Sequence, residues 1–268
     1  MKKLIQSILT SRKYRALGIP EATLIDLIRQ EEGRGRSLKE LEQTVREKLH
    51  NIAATYLGDP DYAVAALRLE AAVNTNEAAV QAECRAIMAA HASTRERLPA
   101  LDDFYPRLFA LTGMPRVVVD LACGLHPFGL PWMGLPPDSS YYAYDLNQPR
   151  VELINRFLGL SGLPRLGVHQ DILVNPPQVA ADVAFFFKEA HRFEQRQRGC
   201  NRAFWEALPV RWLLVSLPAS SLTGRRDLAA QQRALVARTL EGLDWPVSEV
   251  QVLDEIVFCI DKRATLGG

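Results

Sequence analysis

Long apolar segments and paired cysteines are both missing from this sequence, and each absence excludes a class of protein. No run approaches the ~20 apolar residues of a membrane-spanning helix, so we expect a cytoplasmic protein without a membrane partner. The four cysteines include no pair at the spacing of a zinc site or a redox motif. The five histidines form no metal-binding pair either. We therefore expect reduced thiols and no metal cofactor.

The composition indicates a globular protein with more than one part. The chain has 268 residues, of which 48% are apolar and 24% charged, which excludes a disordered protein. A single ordinary core takes ~100–150 residues, so we expect two domains or one large domain with an appendage.

The first third of the sequence has the apolar spacing of helices and no convincing strand. Ser37 and Glu40 form a capping-box pattern ahead of a helical run, and Ser93 with Glu96 repeats that pattern. Residues 1 to 50 carry 11 Lys and Arg against 7 Asp and Glu. The sequence predicts a basic helical domain over residues 1–90 and a second domain over residues 91–268.

From residue 116 onward, short apolar runs alternate with helical segments. This alternation predicts a Rossmann-like α/β domain with a mostly parallel, doubly wound sheet. The last apolar run is interrupted at Asp254-Glu255, which predicts two strands that pair as an antiparallel hairpin. The predicted strands lie at 117–119, 141–144, 166–169, 183–187, 212–216 and 250–260.

An acidic residue follows each of the first three predicted strands: Asp120, Asp145 and Asp171. Ligands of such sheets bind beyond the carboxyl ends of the strands, and Asp145 is placed to accept hydrogen bonds from ribose hydroxyls. The first turn, with Ala122 and Gly124, is small enough for close approach but lacks the GxGxxG pattern of a dinucleotide site. This pattern favours S-adenosylmethionine and disfavours a nicotinamide oxidoreductase.

Several segments resemble the aminoglycoside-resistance 16S rRNA methyltransferases of the Arm/Rmt type. The specific ones are HASTRERL at residues 91–98 and DLACGLHP at residues 120–127, together with the basic RKYR segment at residues 12–15 and Asp254-Glu255-Ile256. The resemblance spans nearly the whole chain. It implies methyl transfer from S-adenosylmethionine to N7 of guanine 1405, in the decoding site of 16S rRNA within the 30S subunit, by a monomer.

The resemblance also implies a set of cofactor-binding residues. His91 to Ser93 and Arg97 would hold the methionine end, Asp145 the ribose, and Asp171 with Ile172 the adenine. With Asp120, the full predicted set is His91, Ala92, Ser93, Arg97, Asp120, Ala122, Gly124, Asp145, Asp171, Ile172, Phe187 (or Lys188) and Gln197.

Guanine N7 is unprotonated at neutral pH, so in-line attack on the sulfonium methyl needs no general base, and we expect no catalytic acid or base. A stacked target base must be extruded into a pocket, for which Tyr105, Trp132 and Phe187 are stacking candidates.

Phosphate contacts are expected from basic side chains. These are Arg12, Lys13, Arg15, Arg34, Arg36, Lys39 and Arg225.

Two regions depart from the family pattern: residues 188–193, after the fourth strand, and the loop at residues 216–226. Such regions affect the prediction of the target nucleotide more than the prediction of the cofactor. Two alternatives therefore stay open. One is a small-molecule methyltransferase with a helical cap, which the basic segment disfavours, and the other is a non-catalytic ribosome-associated factor that binds S-adenosylmethionine.

Overall fold

The computed structural model describes residues 1–53, 59–220 and 227–262. The chain begins with four helices, α1 (Lys2–Leu9), α2 (Arg12–Arg15), α3 (Glu21–Arg29) and α4 (Leu38–Ala53). Their apolar faces meet in a core of their own, in which Ile8, Leu24 and Leu49 are fully buried. The capping box forms as predicted, because the Ser37 backbone N–H donates to Glu40 Oε2 at 2.8 Å. We call α1 to α4 the helical domain.

Four more helices precede the sheet: α5 (Tyr62–Val73), α6 (Glu77–Ala90), α7 (Ala92–Arg95) and α8 (Leu101–Thr112), with a 3₁₀ turn at Leu98–Ala100. Leu69 of α5 and Ile87 of α6 share a core with sheet residues such as Val118. By packing, α5 and α6 therefore belong with the sheet, on the other side of the boundary expected at residue 90.

The second predicted capping box does not form. The helix α7 begins at Ala92, ahead of the predicted start. The hydroxyl of Ser93 instead lies 2.8 Å from His91 Nδ1, and Glu96 pairs with Lys188. A local contact with His91 engages Ser93, and a tertiary contact with Lys188 engages Glu96, so neither side chain forms the predicted cap.

The sheet has seven strands in the order β3-β2-β1-β4-β5-β7-β6. The first five run parallel, whereas β7 is antiparallel to both β5 and β6. This confirms the predicted fold class and the terminal hairpin. The strands are β1 (Val117–Leu121), β2 (Ser140–Asp145), β3 (Gly167–His169), β4 (Ala181–Phe187), β5 (Val210–Pro218), β6 (Val247–Val252) and β7 (Glu255–Asp261).

Helices cover both faces of the sheet, which is why its central strands are apolar on both sides. The crossovers contain a 3₁₀ segment (His126–Trp132) and α9 (Gln148–Leu160), α10 (Ala190–Arg196), α11 (Cys200–Ala207) and α12 (Ala229–Leu240). All four cysteines are buried and free, as predicted.

The strand order reverses between β1 and β4, so a crevice opens beyond the carboxyl ends of these strands. The helical domain lies over this edge. The Gln148 backbone N–H, at the start of α9, donates to the Leu17 carbonyl at 3.1 Å, and Leu146 packs against the core of the helical domain. Among the described residues no helix is long and apolar enough to cross a membrane.

Candidate active site

A cavity of about 450 Å³ lies where the helical domain meets the carboxyl ends of the parallel strands. We call its two sides the floor and the roof. The floor consists of cavity-lining residues in the segments after β1 to β4, and includes Asp120, Asp145, Asp171, Ile172 and Phe187. The roof consists of lining residues from the helical domain: Leu17, Ile19, Leu27, Lys48, Asn51, Ile52 and Ala53. A cavity of this size suits a ligand with several polar groups on an apolar frame.

The turn after β1 presents backbone to the cavity. Ala122 and Gly124 both have left-handed backbone conformations, with φ of 51° and 55°. The space beside Gly124 is open, since a Cβ built there would come no closer than 3.8 Å, to His91 Cε1. The small residues of the motif therefore permit a tight turn and close approach of a ligand.

Asp120, at the end of β1, is buried and holds two other side chains. Its Oδ2 accepts hydrogen bonds from Tyr141 Oη at 2.7 Å and from His126 Nδ1 at 2.9 Å. Because a carboxylate can only accept, the proton of the His126 ring sits on Nδ1. His126 also lines the cavity, with its ring centroid 4.8 Å from that of Phe187.

Asp145, at the end of β2, is connected through Arg150 to Asp59, which lies ahead of α5. Its two oxygens accept from Arg150 Nη1 at 2.9 and 3.0 Å, and Oδ2 also accepts from the Gly124 N–H at 2.9 Å. The other terminal nitrogen of Arg150 donates to both oxygens of Asp59 at 2.8 Å. Burial favours a lower pKa for Arg150, but Asp145 and Asp59 outweigh it and raise the pKa well above its usual value.

Asp171, after β3, has a matching partner. Its Oδ1 accepts from Arg196 Nη1 at 3.0 Å, and Arg196 Nη2 lies 2.7 Å from Oδ2. The same Nη2 donates to Asp26 of α3 at 3.0 Å. Burial again favours a lower pKa for Arg196, and Asp171 and Asp26 reverse that effect and raise it.

A third buried ion pair, between Arg97 and Glu255, lies at the floor. Arg97 donates through Nη2 and Nε to Glu255 of β7, at 2.5 and 3.2 Å. Its guanidinium also lies over the rings of Phe104 and Phe187. Burial would raise the Glu255 pKa, but Arg97 and then Lys188 hold it below its usual value. Lys188 Nζ is 3.9 Å from Glu255, and its backbone is left-handed, with φ of 62°.

His91 lines the same cavity. It is 1% exposed. Burial, followed by the charge of Arg150, lowers its pKa from 6.5 to about 4. His91 is therefore neutral at physiological pH.

A model of one protein family matches residues 10–259 of the chain, and its description is ribosomal RNA methyltransferase. The chain belongs to this family. The predicted family is thereby confirmed, and with it the predicted class of enzyme, a 16S rRNA methyltransferase that depends on S-adenosylmethionine.

Curated relatives share this assignment. A 16S rRNA (guanine(1405)-N(7))-methyltransferase from Serratia marcescens is 34% identical over 221 residues, which is 82% of each chain. One of the same name from Frankia casuarinae is 30% identical over 263 residues, covering 96% of this chain and 92% of the relative.

Solved structures of similar proteins have the same fold. The 16S rRNA methylase RmtB superposes with a TM-score of 0.80 at 27% identity, covering 97% of this chain and 98% of that one. The 16S rRNA methyltransferase RmtF, solved in complex with S-adenosyl-L-homocysteine, gives 0.78 at 25% identity and covers 97% of both chains.

The structure brings most of the predicted cofactor residues of this methyltransferase to one cavity. Ala92 and Gln197 are the two that do not line it, and Gln197 is exposed. The residues that do line it are His91, Ser93, Arg97, Asp120, Ala122, Gly124, Asp145, Asp171, Ile172 and Phe187.

The predicted RNA contacts lie elsewhere. Arg12, Arg15 and Lys39 are exposed on the helical domain. Arg34 and Arg36 are exposed too, and both pair with the fully buried carboxylate of Glu31, which Lys48 also contacts at 2.5 Å. Lys13 belongs to α2, while Arg225 lies outside the described residues.

Of the three stacking candidates, only Phe187 lines the cavity. Tyr105 is completely buried in the core, where its ring packs against Phe104, and it offers no surface to a base. Trp132 is covered by the guanidinium of Arg85, 4.7 Å from the ring centroid. The position of an aromatic residue near a motif in the sequence therefore does not predict whether its ring lines the cavity.

The sequence reasoning missed Arg150 and Arg196, which are the partners of Asp145 and Asp171, and it missed Glu255 as the partner of Arg97. The only signals were that Arg150 and Arg196 lie in the helices after β2 and β4, and that the Asp254-Glu255-Ile256 segment belongs to the family resemblance. Among residues 1–53, 59–220 and 227–262 there is no group of three side chains suited to a metal ion.

Proposed function

We propose that this enzyme transfers the methyl group of S-adenosylmethionine to N7 of guanine 1405 in 16S rRNA of the 30S subunit, and thereby gives resistance to aminoglycosides. The observation that carries the proposal is the convergence of the HASTRERL and DLACGLHP segments and three strand-end acids on one cavity. The curated relatives, named for this guanine and this atom, support it.

The residues present fit the cofactor. Asp145 supplies carboxylate oxygens for ribose hydroxyls, and Asp171 with Ile172 supplies an acceptor and an apolar surface for adenine. Arg97, which lines the cavity and pairs with Glu255 through Nε and Nη2, suits the methionine carboxylate. The open space beside Gly124 allows the cofactor to lie against the backbone.

The bound cofactor supplies an electrophilic methyl group on a sulfonium. Guanine N7 already carries a lone pair at neutral pH, so the protein needs to take up no proton. Its contribution is alignment, which is worth ~7–11 kcal/mol in well-oriented systems. Phe187 and Lys188, at the end of β4, line the cavity and are the side chains that we assign to the extruded base.

Binding of the 30S subunit is assigned to the helical domain. Its exposed basic side chains are suited to phosphate contacts, which position a protein on folded RNA by shape. Arg12, Arg15, Arg34, Arg36 and Lys39 share this domain, and we include Lys13 and Arg225 from the sequence pattern. We expect a monomer to be sufficient.

The test is methyl transfer from labelled S-adenosylmethionine to purified 30S subunits, with the site mapped by reductive strand scission at N7-methylguanine. We expect a single cut at guanine 1405. Incorporation of the labelled methyl group without strand scission would mean that the target is another atom or another base. Cofactor binding without label would favour the small-molecule methyltransferase or the non-catalytic factor.

The absence of a general base has its own test. The titratable groups nearest the floor are replaced one at a time by His126→Asn, Asp120→Asn and Lys188→Met. Single-turnover rates at saturating cofactor are then followed from pH 6 to pH 9. We expect flat profiles for the wild type and for every folded variant. A variant that still binds cofactor, and whose activity is lost at low pH and returns as pH rises, would show that proton transfer limits the reaction.

A further inference from the structure

Two arginines each pair with one acid of the floor and with one acid outside it. Arg150 lies between Asp145 and Asp59, and Arg196 lies between Asp171 and Asp26. The side chains of the two arginines are 9% and 7% exposed. Each bridge therefore joins an acid of the floor to an acid that does not line the cavity.

The outer acids come from two different segments outside the floor. Asp26 is in the middle of α3, whose Leu24 and Leu27 are in the core of the helical domain. Asp59 is in the segment between α4 and α5, and its side chain is 20% exposed, so it is more accessible than Asp145. Neither Asp26 nor Asp59 lines the cavity.

Each arginine divides its donors between two acids. Arg150 uses Nη1 for Asp145 and Nη2 for Asp59. Arg196 uses Nη1 for Asp171 and shares Nη2 between Asp171 and Asp26. With Asp59 removed, Arg150 is free to turn Nη2 onto Asp145 as well, because a planar guanidinium pairs best with a carboxylate through two parallel hydrogen bonds. That pairing would use acceptor positions that the ribose needs. Arg196 already places both terminal nitrogens on Asp171, so removal of Asp26 leaves Nη2 to Asp171 alone and strengthens a pairing that competes with the adenine.

We propose that Arg150 and Arg196 are positioning residues for the cofactor acids, and that Asp59 and Asp26 determine how strongly the enzyme binds its cofactor. The inference rests on the proposed use of Asp145 and Asp171 for the cofactor. Asp26 of the helical domain and Asp59, ahead of α5, thereby complete the cofactor site without touching the cofactor. By linkage, any shift of the helical domain on the ribosome that alters the bridge from Asp26 to Arg196 changes cofactor affinity, and the cofactor changes ribosome affinity by the same factor.

The experiment measures S-adenosylhomocysteine binding to the full chain by calorimetry, for Asp59→Asn and Asp26→Asn. We expect each variant to bind roughly 5- to 50-fold more weakly, the usual range of coupling between sites. In methyl transfer to 30S subunits, the KM for S-adenosylmethionine should rise by a similar factor. At saturating cofactor, kcat should stay close to the wild-type value. Asp59→Glu and Asp26→Glu, which keep the charge, should recover part of the affinity.

The matched control is Glu70→Gln. Glu70 of α5 pairs with Arg156 of α9, so it joins the same helix as Asp59 does, but both side chains are well exposed and Glu70 does not line the cavity. We expect an affinity within about twofold of wild type, since exposed pairs contribute ~0–1 kcal/mol. If both Asn variants bind as the wild type does, the proposal is wrong. An equal loss of S-adenosylhomocysteine affinity in Glu70→Gln would overturn the proposal as well.

A second measurement needs no variant. Saturating S-adenosylhomocysteine should slow amide hydrogen exchange of the wild type in α3 and around Asp59, and unchanged exchange there would overturn the proposal even if the Asn variants fail to fold. The proposed function fails separately. A wild type that binds S-adenosylhomocysteine but does not methylate 30S subunits refutes the function, while the binding data still decide the role of the bridges.

Discussion

The floor and the roof of the cavity are held in place by different forces. In the floor, the carboxylates sit at the ends of adjacent strands, where backbone register fixes their spacing, and their partners are buried with them. In the roof, apolar side chains cover the cavity, and Lys48 pairs with the buried Glu31 beside Arg34 and Arg36, cations that remain partly in water. Changes in the floor should therefore be costly, whereas changes in the roof should be tolerated and should alter binding.

The largest expected effect comes from breaking the buried pair at the floor. Arg97→Ala leaves the Glu255 carboxylate without its main partner in a site that excludes water. Loss of one member of a buried pair costs ~3–5 kcal/mol. Urea denaturation should show that loss of unfolding free energy, and calorimetry should show no measurable S-adenosylhomocysteine binding.

A double variant separates the two consequences. Arg97→Leu with Glu255→Leu removes both charges, which is often neutral for stability. We expect it to regain most of the unfolding free energy but none of the cofactor affinity. Recovery of binding in this variant would show that Arg97 has no direct contact with the cofactor.

The next effect is a pH dependence from His91, which lies beside the floor. Its pKa is about 4 in the folded protein against 6.5 for the free group, so the unfolded chain takes up the proton first as pH falls. The stability that this histidine contributes is complete above pH 6.5 and is lost between pH 6.5 and about 4. At 1.36 kcal/mol per pKa unit this amounts to about 3 kcal/mol.

Urea denaturation of wild type and His91→Gln at a series of pH values measures this contribution. The difference in unfolding free energy between the two should shrink as pH falls through that window. Parallel curves for the two proteins would contradict the assignment of the lowered pKa to His91.

A smaller effect is expected from the roof side. Glu31→Gln removes the buried carboxylate that Lys48, Arg34 and Arg36 share, but these cations are 32–57% exposed and can return to water. Loss of charge-assisted hydrogen bonds of this kind costs about 2 kcal/mol. We expect weaker 30S binding with little change in S-adenosylhomocysteine affinity. Glu32→Gln is the control, since Glu32 is its exposed neighbour.

The smallest effect on the cofactor site should come from the exposed basic segment. Replacing Arg12, Lys13 and Arg15 together by Gln should leave stability and S-adenosylhomocysteine affinity unchanged. Binding to 30S subunits should weaken. The slope of the logarithm of the binding constant against the logarithm of the salt concentration should become smaller in magnitude by roughly one unit per lost phosphate contact. Equal losses of cofactor and ribosome binding would instead assign the segment a structural role.

The floor could be predicted from the sequence because its signals are local. A short apolar or aromatic run followed by an acid marks a strand end, and Asp120, Asp145 and Asp171 appear in this way without any structure. The terminal hairpin was predictable for the same reason, since the interruption expected at Asp254-Glu255 lies within one residue of the turn between β6 and β7, which the structure has at Leu253-Asp254.

The roof and the bridges could not be predicted, because they depend on contacts between distant segments. Nothing near Arg196 in the sequence indicates that it meets Asp26, 170 positions earlier. The position of α5 and α6 has the same explanation: both read as helices, but only packing shows that Leu69 and Ile87 face the sheet. Ser93 failed as a cap because His91 offered a closer partner.

The contact between Arg97 and Glu255 has a consequence for the order of folding. The two residues are 158 positions apart, and the second belongs to the inner strand of the antiparallel pair at the end of the sheet. Contacts between such distant positions form late, because the chain must first give up the entropy of a long loop. During refolding, helical signal should therefore return before the ability to bind S-adenosylhomocysteine. A partly folded chain in the cell would not compete with finished enzyme for the cofactor.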